Sequence, residues 1–303
     1  MSTTPPVSPA GTIHDLGYKR YVGTRRSAGT RWLVIARNQI SSSWKTWWRY
    51  KSSLALAVIV TFIAGGVMFI LSDKVIRDFA GAAATTMSDA ALPKSIQWYT
   101  RAAFLVSLTI GARVVAGDLQ SGAFTFYFSR SVRPRDYVIG KLGGMFALMA
   151  PINLAGPLLL ACARLGLSQD VDQLIGSLML VPKAIAIGLL GTLVFATVPV
   201  AFSALIANGR YAIALWGAYY LVFGFIVSMI GRHSDSWIGA LDLATSLDAV
   251  ALQLFDLHLF TGRAGNLDPT VALASILVHI AAAIAIVGYQ VRSAHGSGVG
   301  GAS

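Results

Sequence analysis

Residues that carry acid, base, metal and nucleophile chemistry are scarce in this 303-residue sequence and form no catalytic pattern. There is no Glu, and Cys162 is the single cysteine, so paired-carboxylate hydrolysis, metalloprotease helices and disulfide frameworks lack their usual residues. Gly140 and Lys141 form the only Gly-Lys pair, but Leu142 follows where a phosphate-binding loop needs Ser or Thr. We therefore expect no enzymatic activity, no metal and no cofactor bound by this chain.

His279 is the one ionisable residue that we expect near the middle of an apolar stretch. Polar side chains in such positions normally face the interior of a helix bundle. Because no membrane-embedded acid accompanies it, we favour hydrogen bonding between helices over a proton relay.

The segment from residue 118 to 141 combines aromatic rings with arginines, a composition that is enriched in protein interfaces. A helix that uses Asp118 as its N-cap would place Phe124, Tyr127 and Phe128 on one face and Phe126 on another. Two interpretations are open: a surface that docks another protein, or a lining of the membrane surface. The candidate residues are Asp118, Gly122, Phe124, Tyr127, Phe128, Arg130, Arg133, Asp136, Tyr137 and Lys141.

The elements that must position these residues are membrane-spanning helices. Hydrophobic residues make up 55% of the chain and charged residues only 12%, whereas soluble domains carry about 25% charged residues. Long apolar windows predict six helices, each long enough for the roughly 30 Å apolar layer of a bilayer. The predicted spans are 52–72, 95–117, 142–163, 184–207, 211–231 and 269–291. The predicted fold class is an all-α polytopic membrane protein.

The basic residues are distributed unequally between the two sides of the predicted bundle. Sixteen of the 24 Lys and Arg residues fall on the side that holds both termini and the 113–141 loop. This bias predicts cytoplasmic termini in a multi-pass protein of the cell (inner) membrane. It also accounts for the net charge of +11 without nucleic acid as a partner, because anionic headgroups attract such segments.

Residues 31–50 predict an amphipathic helix that lies flat at the membrane surface before span 1. It is either a membrane anchor or a partner-docking element. Residues 1–30 and 293–303 predict flexible cytoplasmic tails, and helical spacing at 237–258 predicts short outer helices between spans 5 and 6. Gly140 and Gly144 form a small-xxx-small pair that indicates a close helix contact. The interfacial residues are Trp32, Ile40, Trp44, Trp47 and Trp48.

The order of residues in the 118–141 segment resembles the membrane subunit of type-2 ATP-binding-cassette (ABC) exporters. The resemblance consists of an acid after span 2, a Gly four residues later, an aromatic-rich turn ending in Ser-Arg, and Gly-Lys opening span 3. The layout of residues 31–292 is similar as well. One departure is Ser131, where the family commonly has Pro.

The resemblance implies a permease dimer, homomeric or heteromeric, with a separate ATPase subunit under each chain. ATP and Mg²⁺ would bind that ATPase, and a coupling helix near residues 118–129 would dock into it. The alternatives are a self-sufficient secondary transporter or channel and, less favoured, an intramembrane enzyme. The scarcity of polar groups in the spans favours a lipidic or amphipathic cargo over an ion.

Overall fold

The computed structural model of the chain describes residues 28–128, 132–234, 237–257 and 267–296. Every regular element in these ranges is a helix, and six helical segments are long and apolar enough to cross a membrane. The all-α polytopic membrane fold is therefore confirmed. The segments, called spans 1 to 6, are Trp48–Ser72, Ala82–Gln120, Pro134–Gly166, Val171–Leu205, Gly209–Arg232 and Pro269–Gly296.

The α-helices of the described residues are numbered in chain order. Two π-helical turns interrupt the spans, at Pro151–Ala155 in span 3 and at Ala218–Phe223 in span 5. The end of the bundle with α1, α5 and α6 is called the α1 end, and the end with α3, α9 and α13 the α13 end. The helices are α1 Arg31–Lys45, α2 Ser52–Ser72, α3 Lys74–Ala80, α4 Ala82–Thr109, α5 Ala116–Gln120, α6 Ala123–Phe128, α7 Pro134–Ala150, α8 Gly156–Gly166, α9 Val171–Ser177, α10 Leu180–Leu205, α11 Gly209–Gly217, α12 Gly224–Ser234, α13 Leu243–Leu254 and α14 Pro269–Gly296.

Span 4 lies at the centre of the bundle and span 1 at its edge. The most apolar window of span 4 is 67% buried, whereas that of span 1 is 17% buried. Helix α10 packs against α14, α7 and α8. At Gly188 a Cβ would lie 2.7 Å from the backbone oxygen of Asn153, so the close approach of α10 to the π-helical turn of span 3 requires glycine.

Helix α4 of span 2 differs from the predicted boundaries. It begins at Ala82, well before residue 95, and it ends at Thr109. The prediction began the span after Lys94 because a charged residue was taken to end it, but the helix continues through Lys94 and through Pro93. Its chain direction reverses that of α2, with Thr109 donating to the carbonyl of Arg49 at 3.4 Å.

The short helices predicted between spans 5 and 6 are present as the 3-10 helix Trp237–Leu241 and α13. Asp242 caps α13 by accepting from the amide of Ala244 at 3.1 Å. Helix α13 is more buried than an interfacial helix, since Leu243 and Leu247 belong to the main core and Gln97 of α4 donates to Asp248 at 2.7 Å. It therefore closes the α13 end of the bundle.

Helix α14 continues past the predicted end of span 6 at residue 291 and reaches Gly296. The first four residues of the predicted C-terminal tail are thus helical. The remainder of that tail, residues 297–303, and residues 1–27 of the predicted N-terminal tail lie outside the described residues.

Candidate functional site: the α5–α6 elbow

The chain at the end of span 2 folds as two short helices, α5 and α6, joined by a turn at Ser121 and Gly122. The sequence predicts one helix from Asp118, and this is wrong. Gly122 has a φ of +67°, a left-handed conformation that glycine adopts without a Cβ penalty, and it ends the first helix. The amide of Thr125 donates to the Gly122 carbonyl at 3.1 Å and starts α6. We call α5, the turn and α6, residues 116–128, the elbow.

Asp118 is not the N-cap of the elbow, because α5 begins at Ala116. Its carboxylate extends to α7 instead. It lies 2.7 Å from Lys141 Nζ and accepts a hydrogen bond of 2.7 Å from the hydroxyl of Tyr137. Tyr137 and Lys141 are four residues apart and share one helical face, so they reach the same carboxylate. One acid thus fixes the elbow to the first turns of span 3.

The ion pair lies in a largely dehydrated position. The side chains of Lys141 and Asp118 are 11% and 19% exposed. Lys141 also donates to the carbonyl of Val114, at 3.2 Å, just before α5. Burial, with a smaller contribution from the Asp118 charge, raises the pKa of the nearby Tyr127 hydroxyl. This hydroxyl therefore adds no second negative charge beside Asp118 at neutral pH.

Ser203 of α10 supplies a second attachment that sequence analysis missed. Its hydroxyl oxygen accepts from the amides of Val115 and Ala116, both at 2.9 Å, and its side chain is fully buried. It thus satisfies free amides at the start of α5, as an N-cap does, but from another helix. No sequence signal links residues 88 positions apart. The elbow is therefore joined to span 4 as well as to span 3.

The aromatic side chains of α6 divide into an inner and an outer set. Phe124, Tyr127 and Phe128 do share a face, as predicted, but this face packs on Tyr137, with ring centroids at 5.0, 5.3 and 6.2 Å. Phe124 is only 2% exposed, whereas Phe126 is 74% exposed. The predicted docking rings thus support the elbow from inside, and Phe126 is its outward ring.

The remaining predicted residues of the segment lie at the start of α7 or in the 129–131 gap. The amide of Arg133 donates to the carboxylate of Asp136 at 3.3 Å, which closes the first turn of α7. Arg130 lies outside the described residues. Phe128 lies against His295 of α14, with centroids at 5.0 Å, beside a cavity of about 170 Å³ between the elbow, α10 and α14.

Helix α1 packs across the start of span 3 beside the elbow. A Cβ at Gly140 would lie 2.7 Å from Ile35 Cβ, and one at Gly144 would lie 3.1 Å from the Gln39 amide carbon. The close contact indicated by the glycine pair is therefore confirmed. The buried stripe of α1 is Ile35, Ala36, Gln39 and Ser43.

Helix α1 ends at Lys45, so the amphipathic helix is shorter than the predicted 31–50, and the π-helical turn Trp47–Lys51 leads into span 1. Three of the predicted interfacial residues, Trp32, Ile40 and Trp44, therefore lie on α1 beside the buried stripe, and Trp47 and Trp48 lie in the turn. Trp32 and Ile40 are half-buried, Trp44 is 50% exposed and Trp48 is 81% exposed. The side chain of Trp47 lies outside the described residues. Exposed tryptophans beside a buried stripe fit a helix that contacts both protein and headgroups.

His279 joins spans 5 and 6 by hydrogen bonds. Its Nδ1 lies 2.7 Å from the carbonyl of Ser275, and its Nε2 lies 2.6 Å from the hydroxyl of Tyr219. A carbonyl only accepts, so Nδ1 donates to Ser275, and in a neutral ring Nε2 then accepts from the Tyr219 hydroxyl. These contacts support the packing role. Among the described residues, no group of three or more His, Cys, Asp or Glu side chains could hold a metal ion.

Comparison with protein-family models and with curated protein sequences gives no match. The functional assignment therefore depends on the geometry of the elbow, the six spans and the resemblance in the 118–141 segment.

Proposed function

We propose that this chain is the permease subunit of an ABC exporter and that a separate ATPase subunit docks on the elbow. The observation that carries the proposal is the double attachment of the elbow, through Asp118 to span 3 and through Ser203 to span 4. Through these two buried polar links, a displacement of the elbow would reach two spans, as an element that transmits movement requires.

The elbow has the features of a transmitter between a soluble partner and the bundle. Its outward side carries exposed Gln120, Ser121, Thr125 and Phe126, and its inner side is an aromatic cluster on Tyr137. Displacement of the elbow by a partner would act on the first turns of α7 and on the end of α10. Closure of two ATPases would in this way shift a permease dimer between two states.

The distribution of charge supports a cytoplasmic position for the elbow. Helix α1, the elbow and the start of α7 lie at one end of the bundle, and that end carries most of the Lys and Arg residues that the structure describes. An ATPase that uses cellular ATP requires this orientation.

The proposal is tested by a search for an ABC ATPase gene next to the gene of this chain and by co-expression of its product with the tagged full chain. We expect the two to purify as a stoichiometric complex that hydrolyses ATP, and we expect the pure chain alone to hydrolyse none. Stoichiometric ATP hydrolysis by the chain alone, or transport by the chain without any ATPase, would contradict the proposal.

A further inference from the structure

Two cations of α4 lie on the outer surface of the bundle at the level of the apolar layer. Tyr99 marks that level, because its hydroxyl lies 2.7 Å from Thr61 Oγ1 and Thr61 is at the middle of α2. Lys94 and Arg101 are five and two residues from Tyr99, which is about 8 and 3 Å along a helix axis. Both side chains are exposed.

Arg101 does not turn toward the nearer end of its helix. Its guanidinium carbon lies 4.3 Å from the centroid of the Trp98 ring, and Trp98 is three residues farther from the α1 end. The side chain therefore extends toward the middle of the apolar layer, opposite to the snorkelling expected of an arginine near a helix end. A guanidinium held there is costly against lipid tails alone. This face must meet water or an anionic group.

An apolar groove opens on the same face, between α2 and α4, with a volume of about 410 Å³. Lys94 and Trp98 line its α4 side, and Val60, Ile63 and Ala64 line its α2 side. The volume falls in the range of small-molecule sites, which combine apolar walls with a few polar groups. Lys94 is the cation that lines the groove, and Arg101 reaches its edge through the Trp98 ring. Such a surface matches a molecule that has both an apolar chain and a negative charge.

We propose that this groove binds an anionic amphipath, with its apolar chain between α2 and α4 and its charged group at Lys94 and Arg101. Its interpretation as part of the export pathway rests on the proposed permease function, whereas the binding itself does not.

Charge complementarity argues against a second copy of the chain as the occupant. A copy would bring the same two cations to this face. Asp89, the one carboxylate of α4, already pairs with Arg164 at 2.8 Å.

The test uses the purified full chain in a neutral detergent, without ATPase. Dioleoyl phosphatidylglycerol and, in parallel, dioleoyl phosphatidylcholine are titrated, and native mass spectrometry counts the bound lipid. We expect one site that prefers phosphatidylglycerol by about tenfold, since a charged contact contributes on that order. The double variant Lys94→Gln/Arg101→Gln should lose the preference, and Lys94→Arg/Arg101→Lys should keep it.

Two further variants locate the site. Lys45→Gln/Arg210→Gln removes two exposed cations from the α1 end and should keep the preference. Ala91→Phe, which fills the groove, should weaken the binding of both lipids. An unchanged lipid preference in Lys94→Gln/Arg101→Gln would overturn the inference. A change in the oligomeric mass of this variant, with its lipid preference intact, would also overturn it and would assign the face to a second copy of the chain. Neither result would bear on ATPase docking.

Discussion

At the scale of single residues, the Asp118 carboxylate organises the α1 end of the bundle. Its neighbours are a lysine and a tyrosine of span 3, and all three were candidate residues from the sequence. The sequence suggested the wrong role, because an acid at the start of a helix usually caps that helix. The carboxylate pairs with Lys141 instead of capping a helix, since a buried ammonium without a partner costs far more free energy than a missing cap.

The first prediction concerns this ion pair. Lys141→Met leaves the Asp118 charge largely buried without its cation, and we expect the free energy of unfolding to fall by about 3 kcal/mol. The double variant Asp118→Asn/Lys141→Met should lose less than the single variant, because it leaves no unpaired charge and Asn still accepts from Tyr137. Unfolding of the purified protein in mixed micelles, followed by tryptophan fluorescence, measures these differences.

Arg133→Met is the matched control, because it removes an exposed cation from the same end of α7. It should change the free energy of unfolding by no more than about 0.5 kcal/mol. An effect of Lys141→Met as small as that of Arg133→Met would mean that the ion pair does not hold the elbow.

At the scale of elements, long apolar windows were sufficient to predict the six spans, because lipid contact requires such windows. Helical spacing of apolar residues was sufficient to predict helix α1. The start of span 2 was not predictable, since α4 continues through Lys94 and Pro93. The elbow was half predictable. Its aromatic face followed from helical spacing, but the direction of that face depends on Tyr137, and the cap by Ser203 depends on folding.

The second prediction concerns the contact of α1 with α7. In Gly140→Ala the new Cβ would lie 2.7 Å from Ile35 Cβ and 2.8 Å from the carbonyl oxygen of Trp32, so α1 must move. We expect a loss of about 1 to 3 kcal/mol in the free energy of unfolding and faster amide hydrogen exchange in α1.

Gly143→Ala provides the control in the same helix. Its Cβ would meet nothing closer than a Trp32 ring carbon at 3.8 Å, an ordinary contact. It should leave hydrogen exchange in α1 unchanged. Equal exchange rates in α1 for the two alanine variants would show that the tight contact at Gly140 does not hold α1 in place.

At the scale of the whole molecule, the two ends of the bundle have different characters. The α1 end carries most of the described basic residues, the elbow and the amphipathic helix, and the α13 end carries the short helices α3, α9 and α13. A soluble partner that acts on the elbow and a ligand that enters the groove between α2 and α4 would therefore use different surfaces. Transport requires the two surfaces to be coupled through the spans.

The third prediction concerns orientation. In a Cys162→Ser background, a cysteine at Gly176 of α9 should react with an impermeant thiol reagent added to intact cells. A cysteine at Ser121 of the elbow should react only after the membrane is opened. Both positions accept a small side chain, because Ser121 is exposed and nothing lies within 4 Å of a Cβ at Gly176. Labelling of Ser121→Cys in intact cells would show that the chain has the opposite orientation.

The central claim is that the elbow docks an ATPase through its outward ring, and co-purification of the ATPase with elbow variants tests it most directly. Phe126→Ala should lower ATPase retention tenfold or more, since truncation of a central ring in an interface costs about 2 kcal/mol. Phe79→Ala, which removes an even more exposed ring at the α13 end, should retain the ATPase. Phe124→Ala should instead lower the stability of the permease. Full retention by Phe126→Ala, with the variant present in the membrane at the wild-type amount, would contradict the claim.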